Sequence, residues 1–208
     1  MRTLAELQAF FDHADAQVAY AYGLRRNETR MLDVADFGRN PHGVEFGEYG
    51  VCYVRYGKAT TGSAPKPRSV LTVWSWVPEV LEEWVLQFRP LLAPPGSVAL
   101  WPSERAARIG LQQLNSRFAA YRDALGLPAG LDFHSLRRSY VTHLIEDGWD
   151  ARFVQVLLSP QEGVHDVHHE AGTGGNLRGG GGYLRLSITQ ISRRFDACAA
   201  GVDARLVA

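Results

Sequence analysis

No charge of one sign dominates this sequence. Twenty-two Lys and Arg stand against 22 Asp and Glu, so the formal net charge is zero. That excludes a global basic field of the kind that draws in polyanions. It leaves open a local phosphate site, which a few well-placed arginines can build. Arg105, Arg108, Arg117, Arg122, Arg137 and Arg138 share one stretch that holds few acids. Cysteine is scarce as well. Cys52 and Cys198 are the only two, which excludes a disulfide framework and suits a reducing compartment. No run approaches the roughly 20 apolar residues of a membrane-spanning helix. The opening residues lack the basic-then-apolar pattern of a secretory signal, and no internal repeat is visible. A soluble, cytoplasmic protein is expected, with 208 residues to form one substantial core or two small ones.

What is present is mainly helical patterning. Leu4, Leu7, Phe10, Phe11, Ala14 and Val18 recur at helical spacing, which predicts one amphipathic helix. Gly23 interrupts the pattern, and LRRNETRML resumes it. From Gly50 the character changes. VCYVRY and RSVLTV are β-branched and aromatic, and the turn-rich GKATTGSAPKP joins them. This reads as a β-hairpin with a long tip. Val77, Val80, Leu81, Trp84, Val85 and Phe88 mark a further helix, closed by the proline-rich RPLLAPPG. Leu111, Leu114, Phe118, Tyr121 and Leu125 mark another, ending near Gly126. LDFHSLRRSYVTHLIEDG predicts a helix with Leu136, Tyr140 and Leu144 on one face and Asp132 as its cap. ARFVQVLL is a shorter helical piece. After Ser159 the sequence changes again: GTGGNLRGGGG is low in complexity and has little to bury. The fold class expected is α+β, mainly α-helical, with a small antiparallel β-hairpin or sheet and a flexible, irregular C-terminal segment.

The chemistry begins with HSLR. His134 and Arg137 stand at i and i+3, on one side of a helix near its positive end. A protonatable ring, a guanidinium fork and free backbone N–H groups make a good phosphate receptor. A surface arginine beside a core or capping histidine is the other reading of the same residues. GLRRNE is open in the same way. Arg25 reads either as an anion ligand or as a helix residue paired with an acid one turn away. Lys58, at the hairpin tip, reads as a solvated lysine unless it has a partner.

In order along the chain stand YGLRRNETRMLDVADF, YVRYGKATTGSAPKPRSV and LDFHSLRRSYVTHLIEDGWDARFVQVLL. A GLRxxE helix, a hairpin carrying GK and an HxxR helix, in that register, resemble the catalytic domain of the tyrosine recombinases (phage integrases). The resemblance covers most of residues 1–158, leaving 159–208 as an atypical Gly-rich tail. It implies transesterification of double-stranded DNA through a 3′-phosphotyrosyl intermediate, without metal, nucleotide or other cofactor. It also implies a tetrameric synapse in active members. Arg25 and Arg137 match the family's two arginines, which hold the non-bridging phosphate oxygens. His134 would hydrogen-bond the phosphate and assist proton transfer, and Lys58 would protonate the leaving 5′-oxygen. Glu28 fits the motif as a structural buttress. Arg138 and His143 read as backbone-contacting or core-side residues, with Arg138 standing where the family commonly has histidine.

The pattern breaks after that helix. The family's second histidine or tryptophan, usually within LGH, falls here on Pro160, and the nucleophile's place falls on His169. Tyr183 is the sole tyrosine after Tyr140, fourteen residues beyond His169 and just behind GGGG. It is the candidate nucleophile, on a poor tether for a group that must approach phosphorus within ~3–3.5 Å. His165, His168 and His169 suggest adventitious metal binding rather than a built site. With C at each wobble position, VHDV read one nucleotide later gives Ser-Thr-Thr-Ser, which the family often carries before its nucleophile. Residues after about Gln155 therefore read as an out-of-frame or degenerate C-terminus. The lead-in before GLR is shortened, and the family's separate N-terminal DNA-clamping domain is not seen. Two functions follow: a recombinase acting through Tyr183 with impaired chemistry, or an inactive DNA-binding remnant. A zinc hydrolase built on the histidine tract is a distant third.

Overall fold

A computed structural model describes residues 4–57, 67–103 and 108–159, and side chains from position 9 onward except that of residue 10. Seven α-helices and three short strands lie in these segments: α1 (Leu4–Ala21), α2 (Arg26–Met31), β1 (Phe37–Gly38), β2 (Val51–Val54), β3 (Arg68–Leu71), α3 (Val77–Glu83), α4 (Arg89–Leu92), α5 (Leu111–Ala124), α6 (Phe133–Glu146) and α7 (Ala151–Leu158). The mainly helical α+β class expected from the sequence is the one observed.

Helix α1 is the axis of the fold. Helices α3, α5 and α6 all pack against it. The sequence pattern predicts one apolar stripe, yet every residue from Phe11 to Leu24 is buried. The polar positions therefore go inside with the stripe, each needing a partner. Arg117 Nε of α5 donates to Asp12 Oδ1 at 2.6 Å, and the His13 ring bonds the Tyr121 hydroxyl at 2.8 Å. For Asp15, both carboxyl oxygens are buried without a hydrogen-bond partner among the described residues. On another side of α1, Phe11 meets Trp84 edge-on at 5.0 Å, and Trp84 lies 5.2 Å from Trp101.

The hairpin forms where predicted. β2 and β3 pair antiparallel with Cys52 opposite Val70 and Val54 opposite Arg68, and the two-residue β1 adds a third strand beside β2. In β3, Arg68 and Val70 are buried and alternate with half-buried Ser69 and Leu71. The hairpin's inner face thus carries an arginine into the core.

The helix that opens at Val77 does not stop before the proline-rich segment. It widens into one π turn at Trp84–Phe88 and continues as α4 through Pro90 to Leu92. Proline has no N–H to give the carbonyl one turn back, and its ring crowds that carbonyl. The wider turn accommodates it, with the Arg89 N–H reaching the Trp84 carbonyl instead.

Candidate functional site

Two chain reversals and one strand bring the arginines together. Helix α1 ends in a left-handed turn: Gly23 has φ 54°. Its N–H donates to the Tyr20 carbonyl, and the Leu24 N–H reaches back to Ala19 at 2.8 Å. This is the paired closure of a Schellman motif. It throws the chain into extended backbone at Arg25, which caps α2 rather than lying within it. The Arg25 N–H donates to Glu28 Oε2 at 2.7 Å, and its Nη1 donates to Oε1 at 2.8 Å. The acid one turn away is thus the partner expected of Arg25.

Glu28 serves a second arginine as well. Arg68 Nη1 and Nη2 meet its two oxygens at 2.7 Å each, a bidentate fork between side chains that are each 1 % exposed. Burial pushes the Glu28 carboxyl up. The Arg68 fork and the two bonds from Arg25 outweigh that and hold it down at about 2. Glu28 is a carboxylate at any working pH.

Arg137 enters from α6. That helix starts where Asp132 predicts: the Ser135 N–H donates to Asp132 Oδ1 at 2.8 Å, and the Asp132 N–H to Ser135 Oγ at 3.2 Å. One turn in, Arg137 is buried. Its Nη1 donates to the Gly23 carbonyl, and Nη2 donates to the Leu158 carbonyl at 3.3 Å. The guanidinium thereby ties the α1–α2 turn to the end of α7. It lies 4.0 Å from Glu28 Oε2. Burial lowers its pKa to about 10, and the positive charges of Arg25 and Arg68 act in the same direction.

His134 is exposed on the first turn of α6. It has no hydrogen bond to the arginine cluster among the described residues. Arg138 is exposed rather than core-side: its Nη2 donates to Ser135 Oγ at 2.9 Å, beside the Asp132 cap. His143 is core-side as expected, bonded to the Tyr20 hydroxyl at 2.6 Å. Lys58, Pro160, His165, His168, His169 and Tyr183 lie outside the described residues, as does the Gly-rich tail. Among the described residues, no three His, Cys, Asp or Glu side chains are grouped to hold a metal. None of their helices is long and apolar enough to cross a membrane.

The arrangement gathers Arg25, Arg68 and Arg137 about the single carboxylate of Glu28, an excess of two positive charges in a largely buried place. Arg25 is the partly exposed member, its side chain 37 % accessible. Its Nε and Nη2 have no partner among the described residues. A partly exposed guanidinium backed by two buried ones in a low dielectric has the chemistry to hold an oxyanion. Arg68 is the member that sequence reasoning missed. The signal was there, since Arg68, Val70 and Thr72 share the parity of a buried strand face.

The architecture is that of tyrosine-recombinase catalytic domains. XerH site-specific recombinase, in a pre-cleavage complex with difH substrate, superposes over 76% of this chain and 46% of its own at a TM-score of 0.53 and 20% identity. XerA recombinase matches over 76% of this chain and 55% of its own, with TM-score 0.53 and 19% identity. Residues 3–159 match the Phage integrase family, and the chain belongs to it. Tyrosine recombinase XerC 1 of Ralstonia nicotianae is 30% identical over 156 residues, 73% of this chain and 46% of that protein. Tyrosine recombinase XerD of Corynebacterium glutamicum is 28% identical over 147 residues, 71% of this chain and 43% of that protein. The chain thus spans about half the length of the curated relatives it matches.

Proposed function

We propose that residues 1–158 form a tyrosine-recombinase catalytic domain that holds the scissile phosphate of double-stranded DNA, and that this chain performs little or no strand exchange. The observation that carries the reading is the convergence of Arg25 and Arg137 on Glu28. In this scheme both guanidiniums take the non-bridging oxygens. A tyrosine hydroxyl attacks phosphorus and forms the 3′-phosphotyrosyl bond while the P–O5′ bond breaks. His134 assists removal of the phenolic proton, and Lys58 protonates the departing 5′-oxygen. A 5′-hydroxyl from a partner duplex reverses the step, so the phosphoester bond is conserved without ATP. Preorganised guanidiniums favour the pentavalent species, which carries more negative charge than the ground state. The cytoplasm is the place of action, with a tetrameric synapse wherever the reaction runs.

The impairment rests on the region after α7. The family match ends at residue 159, Pro160 and His169 occupy the places of the second histidine and the nucleophile, and Tyr183 follows four glycines. Phosphate contacts supply much of DNA affinity without any nucleophile. Binding therefore outlasts cutting, and the chain acts as a DNA-holding remnant.

The test is to incubate the full chain with duplex DNA and with a nicked substrate that traps covalent intermediates. Salt-dependent duplex binding is expected, weakened in Arg137→Gln, with adducts at or near background. An adduct that Tyr183→Phe abolishes overturns the impairment and makes Tyr183 the nucleophile. Absence of duplex binding overturns the whole reading.

A further inference from the structure

We infer that Arg68 is a positioning residue: through Glu28 it fixes the Arg25 guanidinium for an incoming phosphate and anchors the β2–β3 hairpin to the same carboxylate. The inference rests on the function proposed above and assigns a role to a side chain outside the GLRxxE and HxxR motifs.

Geometry comes first. Arg68 meets Glu28 with both terminal nitrogens at 2.7 Å, and neither side chain is more than 1 % exposed. A planar fork on a planar carboxylate leaves little rotational freedom. Glu28 is therefore fixed in the one orientation in which Oε1 also accepts Arg25 Nη1 at 2.8 Å and Oε2 accepts the Arg25 N–H at 2.7 Å. With these bonds made, Arg25 Nε and Nη2 stay clear of Glu28. Arg137, 4.0 Å from Oε2, feels the carboxylate's charge while its hydrogen bonds go to two backbone carbonyls.

As a contribution to stability the arrangement is poor. Arg68 Nε is buried with no partner among the described residues. The attraction within a buried ion pair is largely offset by desolvation, and an apolar pair of similar volume often does as well. What the fork provides is direction. It also joins elements distant in sequence. Arg68 stands on β3 opposite Val54 of β2, and the segment between those strands carries Lys58, the proposed proton donor. One carboxylate thus joins Arg25, the cap of α2, to strand β3.

The test follows the arginine Nε–H resonances of the full chain by 15N NMR during titration with inorganic phosphate, beside thermal unfolding without ligand. In the native chain phosphate shifts the Arg25 and Arg137 signals. Arg68→Lys keeps the charge and loses the fork, and its phosphate affinity is expected to fall about tenfold. The pair Arg68→Met with Glu28→Gln removes one charge of each sign, so the net charge of the cluster is unchanged. If Arg68 positions, this double variant also loses about tenfold in affinity while unfolding near the native temperature. Native affinity in either folded variant overturns the inference and leaves the proposed function standing. A native chain whose arginine signals ignore phosphate overturns both. Should Arg68→Lys fail to fold, the double variant, which removes the buried Arg68–Glu28 pair as a unit, decides.

Discussion

Gly23→Ala is the perturbation that reaches the site through the least change in atoms. Gly23 sits at φ 54°, where an alanine costs about 1–2 kcal/mol. A Cβ there would lie 2.6 Å from Tyr140 Cδ1 and 3.0 Å from Cε1. Tyr140 cannot move aside, being fully buried with its hydroxyl donating to the Leu71 carbonyl at 3.2 Å. Overpacking of this kind adds roughly 1–3 kcal/mol. The lower entropy of an unfolded alanine returns about 0.4–1 kcal/mol of the penalty. The net expectation is a loss of roughly 2–4 kcal/mol in urea unfolding with an unchanged denaturant slope. A double-mutant cycle isolates the steric part. In a Tyr140→Ala background the clash is gone and only the backbone term remains, so the two changes should couple by about 1–3 kcal/mol. The Gly23 carbonyl also accepts from Arg137, so the single variant should lose phosphate affinity as well. A loss below about 0.5 kcal/mol, or strict additivity with Tyr140→Ala, would refute the reasoning.

Two further expectations concern pH. Glu28 titrates near 2 when folded against an ordinary 4.5, so its contribution is complete above pH 4.5 and is lost as pH falls toward 2. That amounts to something on the order of 3 kcal/mol, read as a slope in acid-unfolding curves that Glu28→Gln lacks. His13 is lowered by burial to about 4 from 6.5. The unfolded chain takes up its proton first, so stability should already decline between pH 6.5 and 4. Asp15 moves the other way. Burial and neighbouring Asp12 raise its pKa well above 3.8, so the folded state holds the extra proton and stability falls as pH rises through that window. Asp15→Leu should remove that slope and raise stability at pH 8 by about 1–3 kcal/mol, the cost of a buried polar group without a partner. An unchanged or lower melting temperature at pH 8 would count against it.

How much of this was legible depends on whether the deciding interaction was local. Asp132 capping α6 involves residues three apart, and the sequence announces it. The hairpin was equally plain, because β-branched alternation and a turn-rich connector are local signals. The burial of α1 on all sides was not. It follows from three helices packing around it, and the partners of its buried Asp12 and His13, Arg117 and Tyr121, come from α5, about a hundred residues away. The π turn could have been read from Pro90, had the missing N–H been weighed against continuation of the helix rather than its end. The two-residue strand β1 is too short for any periodicity to show. At the site, HxxR and GLRxxE pointed to Arg25, His134 and Arg137, and Glu28 was read as a buttress. What it buttresses with was hidden in the RSVLTV strand, where one arginine stands among apolar residues.

Under the proposed function, the shared carboxylate would let a chain without net charge select a reacting phosphate. Three guanidiniums close together would repel by several kcal/mol; the pKa of Arg137 is lowered first by its burial and then by the charges of Arg25 and Arg68. Glu28 makes their proximity tolerable and leaves an excess of two positive charges. A phosphodiester brings one negative charge and leaves the cluster still positive. The pentavalent species formed when a deprotonated phenolic oxygen adds to phosphorus brings two, and is matched. Under the proposed function the surplus is therefore set for the transition state rather than for resting DNA, the condition under which binding energy accelerates chemistry. Glu28→Gln tests this directly. It raises the excess from two to three, which favours resting duplex at low salt, while freeing the Arg25 guanidinium from its carboxylate partner. Phosphate oxygens around a pentavalent centre should gain less, because the surplus then exceeds what that species carries. The relevant comparison is duplex affinity against affinity for a vanadate-bridged nick: the ratio between them should fall in Glu28→Gln, and a ratio that rises would show that the carboxylate has no part in matching the charge.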